Sequence, residues 1–117
     1  PAAAADPENR WLARQNRRRL EFEPLHDAVL AAAGTLDAKV GGPSVSLFGA
    51  NRRRAVYGVA DRLEFPTLLT TFDVPNPAAS VPERTATTVA PQALFLMNGP
   101  FVRDAAKRLV ARPDVQS

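Results

Sequence analysis

The stretch from residue 61 to residue 102 constrains the fold most, because it combines many apolar residues with many prolines. Prolines stand at positions 66, 75, 77, 82, 91 and 100, between clusters of Leu, Phe and Val. Proline interrupts helices and sheet ladders, whereas a disordered tail is poor in large apolar residues. The stretch therefore predicts a long ordered loop that leads into a buried helix, and such loops often carry function.

The chain has 117 residues, which is the length of a single domain with one core. We expect one domain over residues 1–117. Its first and last five residues, PAAAA and PDVQS, predict a segment excised from the C-terminal part of a larger protein. The absence of Cys excludes disulfides, zinc–thiolate sites and covalent c-type haem attachment within this segment. No apolar run approaches the roughly 20 residues of a membrane-spanning helix.

Helix signals recur along the chain and predict a mainly α fold, with about four helices around a small core. Asp6-Pro7-Glu8 predicts a helix that runs to about Arg17, because Asp caps and Pro opens helices. Pro24 opens the clearest helix of the first half, and Gly34 is suited to end it. Pro66 starts a short helical turn that is followed by the long ordered Pro-rich loop.

The second half predicts two more helices. Pro91 opens a short one, QALFLM, which is apolar on every side and is therefore expected to be buried all round. Asn98-Gly99-Pro100 ends that helix and starts the last one, which stops near Pro113. Residues 54–60 carry strand-like side chains with modest alternation, so we expect a short strand there and allow a short β-hairpin.

Arginine accounts for thirteen of the fifteen basic residues, and six arginines form two triplets. The candidate basic patch consists of Arg17, Arg18, Arg19, Arg52, Arg53 and Arg54. Clustered cations bind nucleic acid or another polyanion by neutralising phosphates. The simpler interpretation is a solvated face that pairs with acids such as Glu21 and Glu23, which follow at once. We therefore expect no strong nucleic-acid binding.

A second group of polar residues lies in and just after the long loop. The candidate polar site consists of Asp73, Glu83, Arg84, Thr85 and Asn98. One interpretation is architectural: Asp73 caps the turn before it, and Arg84 anchors the loop through a carboxylate, with Asp73 as the expected partner. The other is a binding or catalytic site, since paired carboxylates at a suitable separation perform acid–base chemistry. The spacing assigns no catalytic residue.

The single histidine and the single methionine predict no cofactor. His26 is followed by Asp27, but adjacent helical side chains do not face each other, so a surface or interdomain histidine is expected rather than a metal ligand or general base. Met97 is expected in the core rather than on haem, because no CxxCH motif accompanies it. We therefore predict neither a metal site nor a bound cofactor.

Five segments follow one another in a specific order: NRRRLEFEPLHDAVLAAAGTLD, KVGGPSV, RRAVYG, LLTTFDVPNP and ERTATTVAPQALFLMNGPFV. This order resembles the C-terminal domain of a large family of unknown function, abundant in Planctomycetes and related bacteria and often linked to c-type cytochrome-like domains. Arg84, Gln92-Ala93-Leu94 and Asn98 match the family pattern, while Ala90-Pro91 stands where Thr-Pro is usual. The resemblance implies a parent in the periplasm or cell envelope and a redox or polysaccharide-linked context. It implies no activity.

Three functions remain open. The first is a non-enzymatic interaction or scaffolding domain that packs on neighbouring domains of its parent, a c-type cytochrome domain among them. The second is a subdomain that completes an enzyme or redox site through Asp73 and Arg84. The third is an anion- or nucleic-acid-binding module that uses the arginine triplets. An exposed apolar patch favours the first, a concave polar pocket the second, and an uninterrupted arginine surface the third.

Overall fold

A computed structural model of the chain describes residues 6–15 and 18–116. These residues form a mainly α fold, as the sequence predicts. The helices are α1 (Phe22–Ala32), a 3-10 helix (Ala55–Tyr57), α2 (Thr67–Thr71), α3 (Ala90–Asn98), α4 (Pro100–Val110) and α5 (Pro113–Gln116). Within the described ranges, no helix is long and apolar enough to cross a membrane.

The end of α1 shows how a local sequence signal fixes a helix boundary. Gly34 has a φ of 68°, a left-handed conformation that a residue without a Cβ adopts at little cost. Its backbone N–H donates to the carbonyl of Ala31, and the N–H of Thr35 donates to the carbonyl of Leu30, both at 2.9 Å. These bonds satisfy carbonyls that the helix leaves open, so α1 ends where the sequence predicts.

A small core joins α1, α2 and the first long loop, residues 35–54. It consists of Phe22, Leu47, Ala55, Leu69 and Phe72. The ring centroid of Phe72 lies 5.5 Å from that of Phe22 and 5.5 Å from that of Phe95, so this residue joins α1 to α3. Aromatic pairs at such separations add to the stabilisation that burial provides.

The strand expected at residues 54–60 is absent, and that prediction is wrong. Ala55–Tyr57 form a 3-10 turn, closed by hydrogen bonds from Tyr57 N–H to Arg54 and from Gly58 N–H to Ala55. The first long loop, residues 35–54, makes only isolated parallel bridges in this region, Asp37 with Arg53 and Val45 with Gly58. Without a longer partner strand, residues that favour β structure do not form a ladder.

The helix expected to start at Asp6 is also absent from residues 6–15. The Asp6 carboxylate accepts hydrogen bonds from the N–H groups of Arg10 and Trp11, at 2.9 Å each, as a helix-capping residue does. However, Asn9 and Leu12 have φ values of 53° and 51°, which end any helix at once. The predicted end of this helix, at Arg17, lies outside the described residues.

Helix α3 is not buried all round, which contradicts the prediction. Its one buried residue is Gln92, while Leu94 is 58% exposed and Met97 is 73% exposed. Phe95 faces the core and packs on Phe72. The expected core position of Met97 is therefore also wrong. A uniformly apolar sequence shows that every face of a helix can be buried. It does not show whether other elements of the domain pack on each of those faces.

Candidate functional site

Three of the five residues of the candidate polar site lie together. Asp73, Arg84 and Thr85 line a small cavity of about 40 Å³, with Arg19 and Glu21 among its other lining residues. Glu83 is exposed in the loop next to Arg84, and Asn98 is the exposed last residue of α3. Neither Glu83 nor Asn98 lines the cavity.

Arg84 binds two carboxylates at the start of α1. Its Nη1 donates to Glu21 Oε2 at 2.7 Å and to Glu23 Oε2 at 2.9 Å, and its Nη2 donates to Glu23 Oε1 at 2.8 Å. The hydrogen bond from Arg84 lowers the pKa of Glu23, and Glu23 in turn raises the pKa of Arg84. The predicted carboxylate anchor is present, but Asp73 is not the partner.

Asp73 closes the second long loop, residues 74–89, by binding Thr87, which stands shortly after Arg84 in the sequence. It follows α2 with a φ of 61°, and the next N–H, of Val74, donates to the carbonyl of Leu69 at 2.9 Å. Its carboxylate accepts hydrogen bonds from the N–H and the hydroxyl of Thr87, at 2.8 and 2.7 Å. Burial opposes ionisation, but the bonds from Thr87 and the charge of Arg19 outweigh it and lower the pKa of Asp73.

The cavity limits what this group of residues can do chemically. Asp73 and Glu23 are already bound by Thr87 and Arg84, respectively, and a volume of about 40 Å³ admits roughly one water molecule. The arrangement is suited to fixing the path of the loop. It leaves no room for a substrate between Asp73 and Arg84.

A buried amide connects α3 to α2. Gln92 accepts a hydrogen bond from the N–H of Val89 at 3.2 Å and donates to the carbonyl of Thr71 at 2.7 Å. The sequence predicts neither this link nor the role of Glu21 and Glu23 at Arg84. For Gln92 a signal existed, since it is the one polar residue within the apolar run of α3.

The arginine triplets do not form a continuous basic surface among the described residues. Arg53 bonds to the carbonyls of Pro43 at 2.9 Å, Lys39 at 3.3 Å and Gly41, and its guanidinium lies 4.0 Å from the centroid of the Tyr57 ring. Three other arginines of the two triplets pair with acids on other elements: Arg52 with Asp104 at 3.2 Å, Arg54 with Asp27 at 3.1 Å and Arg19 with Asp73 at 3.8 Å. Arg18 is exposed, and Arg17 lies outside the described residues.

His26 is buried between α1 and α4 within this domain, so the expectation of a surface or interdomain histidine is wrong. Its ring stacks on that of Phe101, with centroids 5.0 Å apart and planes 5° apart. Its Nδ1 lies 3.3 Å from Asp27 Oδ1, although the two residues are adjacent in α1. Burial favours the protonated form of Asp27, but hydrogen bonds from the N–H of Ala55 and from Arg54 outweigh it and lower the pKa. The described ranges contain no group of three or more metal-ligating side chains.

The comparison with known families gives one match. Residues 1–117 match the family described as PSD1, a protein of unknown function (DUF1553). The chain belongs to this family. No curated protein and no solved structure matches the chain. Membership in PSD1 therefore groups the chain with related sequences and assigns no activity to the cavity around Arg84.

Proposed function

We propose that this PSD1 domain is a non-enzymatic interaction domain, which packs on a neighbouring domain of a larger protein through the outer face of α3. The observation that carries the proposal is the exposure of apolar side chains on this helix. Leu94 and Met97 are 58% and 73% exposed, and Leu96 is 38% exposed. Large apolar side chains grouped on one helix of a soluble domain mark a contact surface.

The surface area of the chain supports the same conclusion. Its accessible surface is 8709 Å², and a compact monomer of this mass has about 6,200 Å². Its radius of gyration is 17.2 Å, and a compact domain of this length has one of about 13 Å. Docking on another domain would cover part of this additional surface.

A groove extends the apolar face of α3 towards the start of α1. It has a volume of about 330 Å³ and is lined by residues that include Leu20, Val89, Ala93 and Leu96. Leu20 is 50% exposed and Val89 is 42% exposed. A ridge of apolar side chains on a neighbouring domain would fit between these residues.

The resemblance of the sequence to the planctomycete family supports a c-type cytochrome-like domain as the neighbour, in an exported or envelope-associated parent. The two other functions have less support. A subdomain that completes an enzyme site through Asp73 and Arg84 needs space between these two residues, and the cavity there measures about 40 Å³. An anion-binding module needs free guanidinium groups, and those of Arg52, Arg53 and Arg54 are bound to other groups of the domain.

The test is a double substitution in the larger protein, Leu94→Asp with Met97→Asp. Both side chains are exposed, so the domain should stay folded while its contact with the neighbour weakens. Hydrogen exchange of residues 90–98 should then rise towards the rate measured for the separate domain. The matched control is Val40→Asp, at a valine that is 85% exposed in the first long loop. Equal exchange rates in α3 with and without the neighbour would contradict the proposal.

A further inference from the structure

The segment from Asp6 to Arg14 is a self-contained turn, called the tryptophan turn below. The side chain of Asn9 donates to the carbonyl of Arg14 at 2.6 Å and accepts from its N–H at 3.1 Å. The guanidinium of Arg14 donates to the carbonyls of Asp6 at 2.7 Å and Pro7 at 2.6 Å. These bonds leave Trp11 77% exposed and Leu12 82% exposed at the tip.

Such a turn has the properties of a preformed binding element. Tryptophan and arginine dominate the energetics of protein interfaces, and Arg10 stands next to Trp11. Since internal hydrogen bonds already fix the backbone, little conformational entropy is lost when the tip docks. The tip presents a large apolar surface beside the positive charge of Arg10, and the exposed Glu8 lies on the same turn.

A complementary groove lies elsewhere on the same chain, between the start of α1, residues 55–60 and residues 74–77. It has a volume of about 440 Å³, within the range of pockets that bury ligands. Its lining includes the core residues Phe22, Leu47 and Leu69. At its surface, Val56 is 68% exposed and Val59 is 45% exposed. We call it the valine groove.

The charge at the edge of the valine groove is negative. Glu21 and Glu23 line it together with Arg84, which leaves one carboxylate in excess. Asp61 and Glu64 flank the lining residues Ala60 and Phe65 in the sequence, with Arg62 between them, so this edge has four acids and two arginines. The chain as a whole has a net charge of +3, so this negative edge is a local exception. It favours an apolar ligand that carries a positive group.

We propose that the valine groove binds the tryptophan turn of a second copy of this chain. Trp11 and Leu12 would enter the apolar floor, and Arg10 would lie against the carboxylates at the edge. Reciprocal exchange of the two turns would give a closed dimer with two equivalent contacts. This inference goes beyond the proposed function, because the groove shares no lining residue with the apolar groove beside α3.

The fluorescence of Trp11 tests the proposal directly, because Trp11 is the only tryptophan in the chain. As the protein is concentrated, its emission should shift to shorter wavelength while sedimentation shows conversion to a dimer. A shift to shorter wavelength in a chain that sediments as a monomer would mean a contact within one chain and would overturn the proposal. Emission typical of a solvated indole at all concentrations would overturn it as well.

A complementation experiment locates the contact. The Val59→Arg variant keeps the turn but has a blocked, positively charged groove, and Trp11→Ala keeps the groove but emits no tryptophan fluorescence. Each variant should dimerise about tenfold more weakly than the native chain, or worse. Mixing the Trp11→Ala protein with the Val59→Arg protein should restore the shift, because one of the two contacts can form. The double variant Trp11→Ala/Val59→Arg, added in the same way, should cause no shift.

The controls keep the experiment decisive. Val40→Arg places the same charge on a valine that is 85% exposed and lies outside the valine groove, so it should dimerise like the native chain. If Val59→Arg alters the circular dichroism spectrum, Val56→Arg replaces it. If the Trp11→Ala protein and the double variant shift the emission of the Val59→Arg protein by the same amount, the assignment of the groove is overturned. The Leu94→Asp/Met97→Asp substitution should leave dimerisation unchanged, so the two proposals fail separately.

Discussion

The two long loops of the domain, residues 35–54 and residues 74–89, are each held by one arginine, but the acceptors differ. Arg53 binds backbone carbonyls, and these lie 10 to 14 residues before it in its own loop. Arg84 binds carboxylates of Glu21 and Glu23, which lie 63 and 61 residues away at the start of α1. The first arginine closes a loop on itself, whereas the second attaches a loop to another element.

The difference has physical consequences. A carbonyl oxygen does not titrate in water, so the bonds of Arg53 do not depend on pH in the ordinary range. The carboxylates at Arg84 lose their charge in acid, and exposed ion pairs are also screened by salt. A loop that is closed on itself can open without disturbing its surroundings, whereas release of Arg84 detaches the second loop from the start of α1.

The largest effect should come from the core that both loops share. Phe72→Ala removes a ring that packs on Phe22 and Phe95, and such a deletion costs about 3–5 kcal/mol of stability. Hydrogen exchange should then rise in both loops together, because global unfolding becomes frequent. Denaturant unfolding monitored by circular dichroism measures the loss. Leu94→Ala, at an exposed position of α3, is the control and should change stability by less than about 0.5 kcal/mol.

The next effect concerns the first loop alone. Arg53→Ala removes the donor that binds three carbonyls and the contact with Tyr57, so we expect a loss of about 1–2 kcal/mol. Exchange should rise at residues 39–43 and stay unchanged at residues 74–89. Arg53→Lys keeps the charge but loses the planar fork, and it should restore only part of the stability. Full restoration by lysine would show that charge rather than geometry holds this loop.

A smaller effect is expected at the second loop. Arg84→Ala breaks partly exposed ion pairs, which are worth up to about 1 kcal/mol. Exchange should rise within residues 74–89 before global stability changes, because the loop loses its attachment to α1 while Asp73 and Thr87 still join its two ends. Arg103→Ala removes an exposed arginine of α4 and serves as the control. If exchange in the loop does not respond to Arg84→Ala, the ion pairs do not hold it.

The smallest effect should come from mild acid. The folded-state pKa values of Glu23 and Asp73 are lowered, so their contribution to stability is complete above the ordinary carboxyl values of 4.5 and 3.8. It is lost as the pH falls through the lower values of the folded state. We therefore expect no change between pH 7 and pH 4.5, a slight opening of residues 74–89 as the pH falls further, and no change at residues 39–43. Amide exchange, corrected for the intrinsic effect of pH on its rate, measures this difference.

The sequence predicted the features that depend on neighbouring residues. Gly34 ends α1 through its own backbone conformation, and Gly99-Pro100 separates α3 from α4 in the same local way. The existence of a carboxylate anchor at Arg84 was also predictable, because an ordered loop without ladder bonds needs one. The identity of the acids was not, since Glu21 and Glu23 lie 63 and 61 residues from Arg84 in the sequence and meet it only in the folded domain.

The wrong predictions share a cause. Composition alone predicts a core helix for the apolar run of α3 and a strand for residues 54–60. In both cases the missing information was the partner: α3 has Phe72 on one side and no covering element among the described residues on the other, and the 3-10 turn at Ala55 meets only isolated bridges. His26 was misplaced for the same reason, since Phe101 reaches it from α4.

The close approach of residues 58 and 47 links the evolution of these two positions. Gly58 has an ordinary φ of −65°, so its backbone would accept any side chain. A Cβ at this position, however, would lie 2.5 Å from two atoms of the Leu47 side chain. A methyl group at 58 therefore requires a smaller residue at 47, and either change alone is unfavourable. In related sequences the two sites should vary together, and Gly58→Ala should be tolerated better alongside Leu47→Ala than alone.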